Sequence, residues 1–158
     1  MAFVDGLRVI RSPIHGYGIV ALRAFAKGEV VCTGEGILYD EDAEFDDTYA
    51  LIFDGDTVEP AVAGSVFYDL VCQTRWINHS CEPNTEIETT WSAERQAPIP
   101  MWIATRDIAP GEELTYDYAF DPSCAERCGC GAPRCRGVIV DADCIHELDS
   151  TMTPFLRT

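Results

Sequence analysis

The chain has 158 residues, 47% apolar, 10% aromatic and 24% charged, with 27 acids against 11 bases and a net charge of −16. These figures exclude a mostly disordered chain, a collagen-like repeat and a coiled coil; they predict one domain that hides roughly 70% of the surface its unfolded form exposes. The acidic balance argues against a basic face for nucleic acid. It favours either a basic protein partner drawn in by the field or an acidic surface kept for solubility.

Leu7 to Arg11 and Ile19 to Phe25 read as short strands flanking Ser12-Pro13-Ile14-His15-Gly16-Tyr17-Gly18, where two glycines allow close approach of a ligand to the backbone. Lys27-Gly28-Glu29 turns the chain into a strand at Val30-Val31-Cys32. Asp40 to Asp47 carries six carboxylates in eight residues. It is expected as a solvated loop or a short frayed helix, and it would either attract a Lys/Arg-rich tail or serve only as a charged surface. Tyr49 to Phe53 is a predicted strand, and Thr74 to His79 one helical turn. Thr85 to Trp91 and Met101 to Ile108 are expected to pair across a polar, proline-bearing loop. Ala109-Pro110-Gly111-Glu112 turns into a strand at Leu114 to Tyr118, whose alternation puts Tyr116 and Tyr118 on one face. Two phenols there either line a slot for a cation or simply pack. Beyond Asp121 the composition shifts to Cys, Gly and Arg, which divides the chain into residues 1–120, 121–137 and a tail at 138–158 with one short helix. Many short strands and few helices predict a mainly β domain. No apolar run reaches the length of about 18 residues that a membrane span requires, and the first residues show no signal-peptide pattern, so no membrane contact is expected.

Eight cysteines are many for this length. Three of them fall within Cys128-Gly129-Cys130-Gly131-Ala132-Pro133-Arg134-Cys135, where Gly and Pro bend the chain as a tetrahedral zinc site requires. Zinc needs a fourth ligand, either Cys124 nearby or a cysteine brought in by the fold, such as Cys81. Buried thiols without metal and a disulfide cluster are the other readings. A second polar segment, Arg75-Trp76-Ile77-Asn78-His79-Ser80-Cys81-Glu82-Pro83-Asn84, concentrates amide, imidazole, hydroxyl and thiol groups before a turn. By its chemistry alone it is equally a polar turn that bonds to its own backbone.

In this order the segments resemble the SET-domain family of protein lysine methyltransferases. Gly16-Tyr17-Gly18 is similar to its GxG loop, Asn78-His79-Ser80-Cys81-Glu82-Pro83-Asn84 to its NHSCxPN motif, and Gly111 to Tyr118 to its GEELTYDY segment. Cys128-x-Cys130-x4-Cys135 with Arg136-Gly137 resembles its post-SET zinc motif. The resemblance covers about Leu7 to Gly137. It implies a β-clip-like fold of several small sheets, a knot-like active site and a C-terminal zinc segment. By the resemblance, Gly16, Tyr17, Gly18, Asn78 and His79, helped by Tyr49 and Arg75, hold S-adenosylmethionine. Cys81, Cys128, Cys130 and Cys135 hold zinc, with Cys124 as a rival. Tyr118 is the catalytic phenol, and Tyr116 occupies the position that sets the degree of methylation, here mainly mono-methylation. The partner is then a basic protein or peptide, histone-like or ribosomal, and the location cytoplasmic, or nuclear in a eukaryote. Cys32 stands where many members have an aromatic. That departure supports an alternative, a degenerate SET domain that binds a basic partner without turnover; a purely structural zinc module is a third reading.

Overall fold

A computed structural model describes residues 5–157 as twelve short strands and five 3-10 turns. The strands are β1 (Leu7–Arg11), β2 (Tyr17–Ala21), β3 (Val30–Thr33), β4 (Gly36–Asp40), β5 (Ala50–Asp54), β6 (Ser65–Leu70), β7 (Asn78–His79), β8 (Thr85–Ser92), β9 (Ala97–Ala104), β10 (Thr115–Tyr116), β11 (Glu126–Arg127) and β12 (Val138–Ile139). They form two three-stranded sheets, ordered β3-β9-β8 and β4-β6-β5, and three two-stranded ribbons, β1-β2, β7-β10 and β11-β12. The β7-β10 pair is parallel, with Thr115 opposite Asn78 and Tyr116 opposite His79. A parallel pair requires a long crossover. Here the chain between the two strands makes the β8-β9 hairpin before it returns.

One core cluster joins both large sheets to β2. Its largest fully buried members are Trp102, Tyr68, Phe25, Ile19, Leu70, Ile77, Ile108 and Leu114. Ile19, Val20 and Ala21 are buried in succession because β2 is covered on both faces. It pairs with β1 on one side, and its carbonyls at Ile19 and Ala21 accept from Leu114 and Gly111 on the other. A second, small cluster of Val138, Val140 and Leu148 lies entirely in the C-terminal segment.

Several expectations need correction. The helical turn expected over 74–79 is a 3-10 turn, Gln73–Trp76, followed by β7; the strand expected over 114–118 is only the two residues of β10; and that expected over 101–108 ends at Ala104. The second strand ends at Ala21 rather than Phe25, because its partner β1 begins at Leu7 after Gly6 at φ +78°, and Phe25 bridges separately to Ile108. β9 begins at Ala97, within the segment expected as a proline-bearing loop. Pro100 tolerates this because its carbonyl faces Gly34, on the side where β3 has ended, so its missing N–H removes no ladder bond to β8. The tail holds two 3-10 turns, Ala142–Glu147 and Thr153–Phe155, rather than one helix. The acidic stretch continues from the end of β4 as turns, with Phe45 stacked on Tyr39 at 4.1 Å.

Candidate active site

The site is built around the β7-β10 crossing. Asn78 is buried, and its Nδ2 donates to the carbonyls of His15 (3.2 Å) and Tyr17 (2.8 Å) and to Glu113 Oε1 (2.9 Å). The same carboxylate oxygen accepts from Ser12 Oγ at 2.7 Å. One amide therefore pins the glycine loop to β7. Gly18 must lack a side chain, since a Cβ there would overlap the Glu113 carboxylate, and Gly16 turns the loop at φ +49°. On the far side, Asn84 accepts from the Thr115 N–H (2.9 Å) and donates to the Glu113 carbonyl (2.8 Å), while Thr85 Oγ1 donates to the Thr115 carbonyl (2.8 Å). Buried polar groups stay buried only when bonded in this way.

Past β10 the chain puts its aromatic rings into a cleft of about 720 Å³, lined by β5, by the start of β8 and by Tyr116 to Asp121. The Tyr116 and Tyr118 centroids are 4.8 Å apart; Trp102 meets Tyr116 edge-on at 5.9 Å, and Phe120 lies 5.5 Å from Tyr118. Tyr118 joins this cleft to the crossing. Its ring lines the cleft, its hydroxyl donates to the Ile77 carbonyl at 3.0 Å, and its N–H donates to His79 Nδ1 at 3.2 Å. Burial pushes the Tyr118 phenol up to about 12, so at neutral pH it is a protonated hydroxyl. Its lone pairs remain free to accept from a guest. Burial, helped by the Arg136 charge and opposed by Asp117, pushes His79 down to about 4, so its ring is neutral.

The thiols of Cys81, Cys128 and Cys130 and a ring nitrogen of His79 lie within 4.8 Å of one another, and the Cys135 thiol reaches Cys128 and Cys130 as a hydrogen-bond partner. Thiolates bound at about 2.3 Å to one zinc stand about 3.75 Å apart; the Cys81 and Cys128 sulfurs are 3.7 Å apart. Backbone N–H groups already point at three of the sulfurs: Arg136 at Cys81 (3.4 Å), Cys130 at Cys128 (3.5 Å) and Gly137 at Cys135 (3.3 Å). Burial pushes Cys81 up to about 11 and raises Cys128. Cys130 falls to about 7, because N–H and thiol donors outweigh its burial. Such a set suits a divalent cation that compensates several thiolates at once. The His79 ring nitrogen also lies within ligand range of Cys81, Cys128 and Cys130. Its Nδ1 accepts from Tyr118, so Nε2 carries the proton and faces Cys81 at 3.4 Å as a donor. The residues therefore fit a divalent cation such as zinc on Cys81, Cys128 and Cys130, with Cys135 beside them and His79 bonded to Cys81.

The family model described as SET domain matches residues 16–119. The chain belongs to the SET-domain family. It is 37% identical over 146 residues to Histone-lysine N-methyltransferase 2B of Homo sapiens, covering 84% of this chain and 5% of that protein. To Histone-lysine N-methyltransferase ash1 of Drosophila melanogaster it is 34% identical, covering 87% and 6%. To Histone-lysine N-methyltransferase ASHH3 of Arabidopsis thaliana it is 32% identical, covering 84% and 38%. The chain thus spans only a small part of these relatives. Among solved structures, it superposes on KRYPTONITE in complex with mCHH DNA, an H3(1-15) peptide and SAH with a TM-score of 0.64 at 28% identity, covering 84% of this chain and 29% of that one.

In this SET domain, Tyr17, Asn78 and the other loop residues lie together, and Tyr17 faces Trp76 at 5.7 Å with Arg11 over its ring at 4.2 Å. Tyr17 is 45% exposed. A half-exposed aromatic pair, a guanidinium and strand main chain are a donor set that fits S-adenosylmethionine. Tyr49 and Arg75 line the cleft, stacked on each other at 4.0 Å, with Arg75 in the 3-10 turn Gln73–Trp76 whose Trp76 faces Tyr17. Cys124 also lines the cleft, exposed, and Cys81 rather than Cys124 meets the other thiols. Cys32 is buried in register with Trp102 and lies outside the cleft lining. Two contributors went unseen in the sequence. Glu113 ties the loop to β7, and Arg136 grips Asp117 with two bonds of 2.7 and 2.8 Å while also donating to the Val140 carbonyl at 3.1 Å. Neither belongs to a spacing pattern; both act across the fold.

Proposed function

We propose that this SET domain is an S-adenosylmethionine-dependent protein lysine N-methyltransferase acting on a basic protein or peptide of histone or histone-like type, and that it adds chiefly one methyl group. The observation that carries this reading is Tyr118, one ring that lines the long cleft while its hydroxyl and N–H are anchored to the Ile77–His79 main and side chains. The names of the relatives and the H3 peptide in the KRYPTONITE complex support the substrate class.

When bound, S-adenosylmethionine supplies a methyl group on a positively charged sulfur. Residues Gly16 to Gly18, with the main chain of Asn78 and His79, would hold it. Cys81, Cys128, Cys130 and Cys135 would hold zinc, which would supply a cross-link within the C-terminal segment. A lysine entering from the cleft must arrive neutral, yet at its reference pKa of about 10.4 only about one amine in 2,500 is neutral at pH 7. The rings of Tyr116, Tyr118 and Phe120 strip water from the ammonium and so lower that pKa. The Tyr118 hydroxyl gives its own proton to Ile77 and accepts an amine N–H, which aims the nitrogen lone pair. No side chain is needed as a general base; the proton leaves through water in the open cleft. Tyr116, wedged between Trp102 and Tyr118, narrows the space beside the amine. Tyr116→Phe is expected to raise the share of di- and trimethyl-lysine, read by mass spectrometry, with the rate changed less than about threefold.

The experiment is transfer of a labelled methyl group from S-adenosylmethionine to a mixture of basic proteins. Label on lysine supports the reading. Calorimetric binding of the cofactor with no label transferred would favour the non-catalytic module, and no heat at all a structural zinc domain.

A further inference from the structure

At the end away from Tyr118 the cleft continues into a second hollow of about 360 Å³ lined by Ile52, Phe53, Asp54, Thr57, Thr89 and Trp91. Ile52, Phe53 and Thr89 line both hollows, so one trough runs between β5 and β8. Each of these strands is an edge of its sheet. The residues that line the far hollow include one acid, Asp54, and two aromatics, Trp91 and Phe53, of which Phe53 also packs on Tyr68. Asp54 stands at the end of β5 with no hydrogen bond from its side chain into the following turn, although the turn itself is fixed by Thr57 Oγ1 donating to the Asp54 carbonyl at 2.6 Å. Asp56 adds a second negative charge in that turn. No base lines the hollow. The Arg75 guanidinium, the one base among the cleft-lining residues, is stacked on Tyr49.

An unpaired carboxylate beside aromatic faces recognises a cation, and best a guanidinium, whose flat face stacks while its edge donates to the acid. We propose that this hollow is a substrate subsite for an arginine side chain set four or six residues from the lysine that is methylated. The proposal rests on the methyltransferase reading of the main cleft. Its register follows from β5. Tyr49 lies near Tyr118 at the catalytic end, and Asp54 lies five residues farther along the same edge, roughly 16 Å at the rise of a strand. A peptide extended in the trough advances at the same rise and alternates its faces, so a side chain on the lysine's own face that reaches Asp54 is four or six residues from it.

The test is peptide binding to the full chain by fluorescence anisotropy. The probes are labelled 17-residue peptides, about the length that places a central lysine with eight Ser/Ala/Gly residues on each side, with a single arginine moved through every position. Arginine four or six residues away, on one side of the lysine only, is expected to bind about five-fold tighter than elsewhere. Asp54→Asn should abolish that gain and leave the affinity of the arginine-free peptide unchanged; Trp91→Leu should reduce the gain. A gain that is the same at every position, a gain that survives Asp54→Asn, or no binding by any peptide overturns the proposal. Because binding is read without turnover, absence of methyl transfer would count against the reading of the main cleft and not against this subsite.

Discussion

The crossing around Asn78 and the segment beyond Asp121 adjoin each other but are held by different forces. The crossing rests on buried amides and hydroxyls, Asn78, Asn84, Thr85 and Thr115, each bonded to main chain or to Glu113, within the large core cluster. The C-terminal segment has only Val138, Val140 and Leu148 as buried core, two two-residue strands and three 3-10 turns. Its other anchors are the thiol group, the Arg136–Asp117 and Arg134–Glu82 pairs and the Asp141 N–H bonded to the Phe120 carbonyl. A core that small does not offset the chain entropy of ordering more than thirty residues, roughly 1–2 kcal/mol for each backbone unit. The difference teaches that the pose of Tyr118 rests on buried hydrogen bonds of the chain itself, whereas the order of the C-terminal segment is expected to need the metal its thiols would hold.

Zinc removal should break the comparison most visibly. A strong chelator is expected to abolish amide protection across 124–156 in hydrogen exchange while strands β1 to β10 stay protected; elemental analysis should find one zinc per chain beforehand. Loss of protection in both regions together would mean that the crossing also depends on metal. Asn78→Ala attacks the other half. It leaves the Tyr17 carbonyl and Glu113 short of a donor, and should lower the stability of the whole domain by about 2–4 kcal/mol in denaturant unfolding. The smallest effect is expected at the seam. Arg136→Gln removes a half-buried paired charge and should cost about 2 kcal/mol, read as faster exchange in 124–156 with little change in β1 to β10.

Much of this was legible in the sequence because the signals are local. The thiol spacing is recognisable from its own chemistry, while the Asn78-His79 segment and the glycine loop, each ambiguous alone, become legible through their order and their resemblance to the motifs of one family. The proximity of Tyr116 and Tyr118 followed from strand alternation, even though β10 ends at Tyr116 and the chain turns with Ala119 at φ +46°. What stayed hidden acts at long range. The Ser12–Glu113 bond spans 101 residues and Arg136–Asp117 spans 19; neither leaves a periodic mark. β9 was misread because Pro98 and Pro100 resemble loop residues until the end of β3 makes their positions an edge. The stacking of Arg75 on Tyr49 in the cleft lining likewise joins residues 26 apart and leaves no local mark.

The central claim is that a lysine amine from the cleft meets the methyl donor at the Tyr118 hydroxyl. Single-turnover methylation of one basic protein by wild type and Tyr118→Phe, followed by mass spectrometry of the modified residue, tests it most directly. The account predicts lysine as the acceptor, a rate about a hundredfold lower in the variant, and unchanged peptide affinity. An equal rate in the two proteins, or methylation of a residue other than lysine, would contradict it.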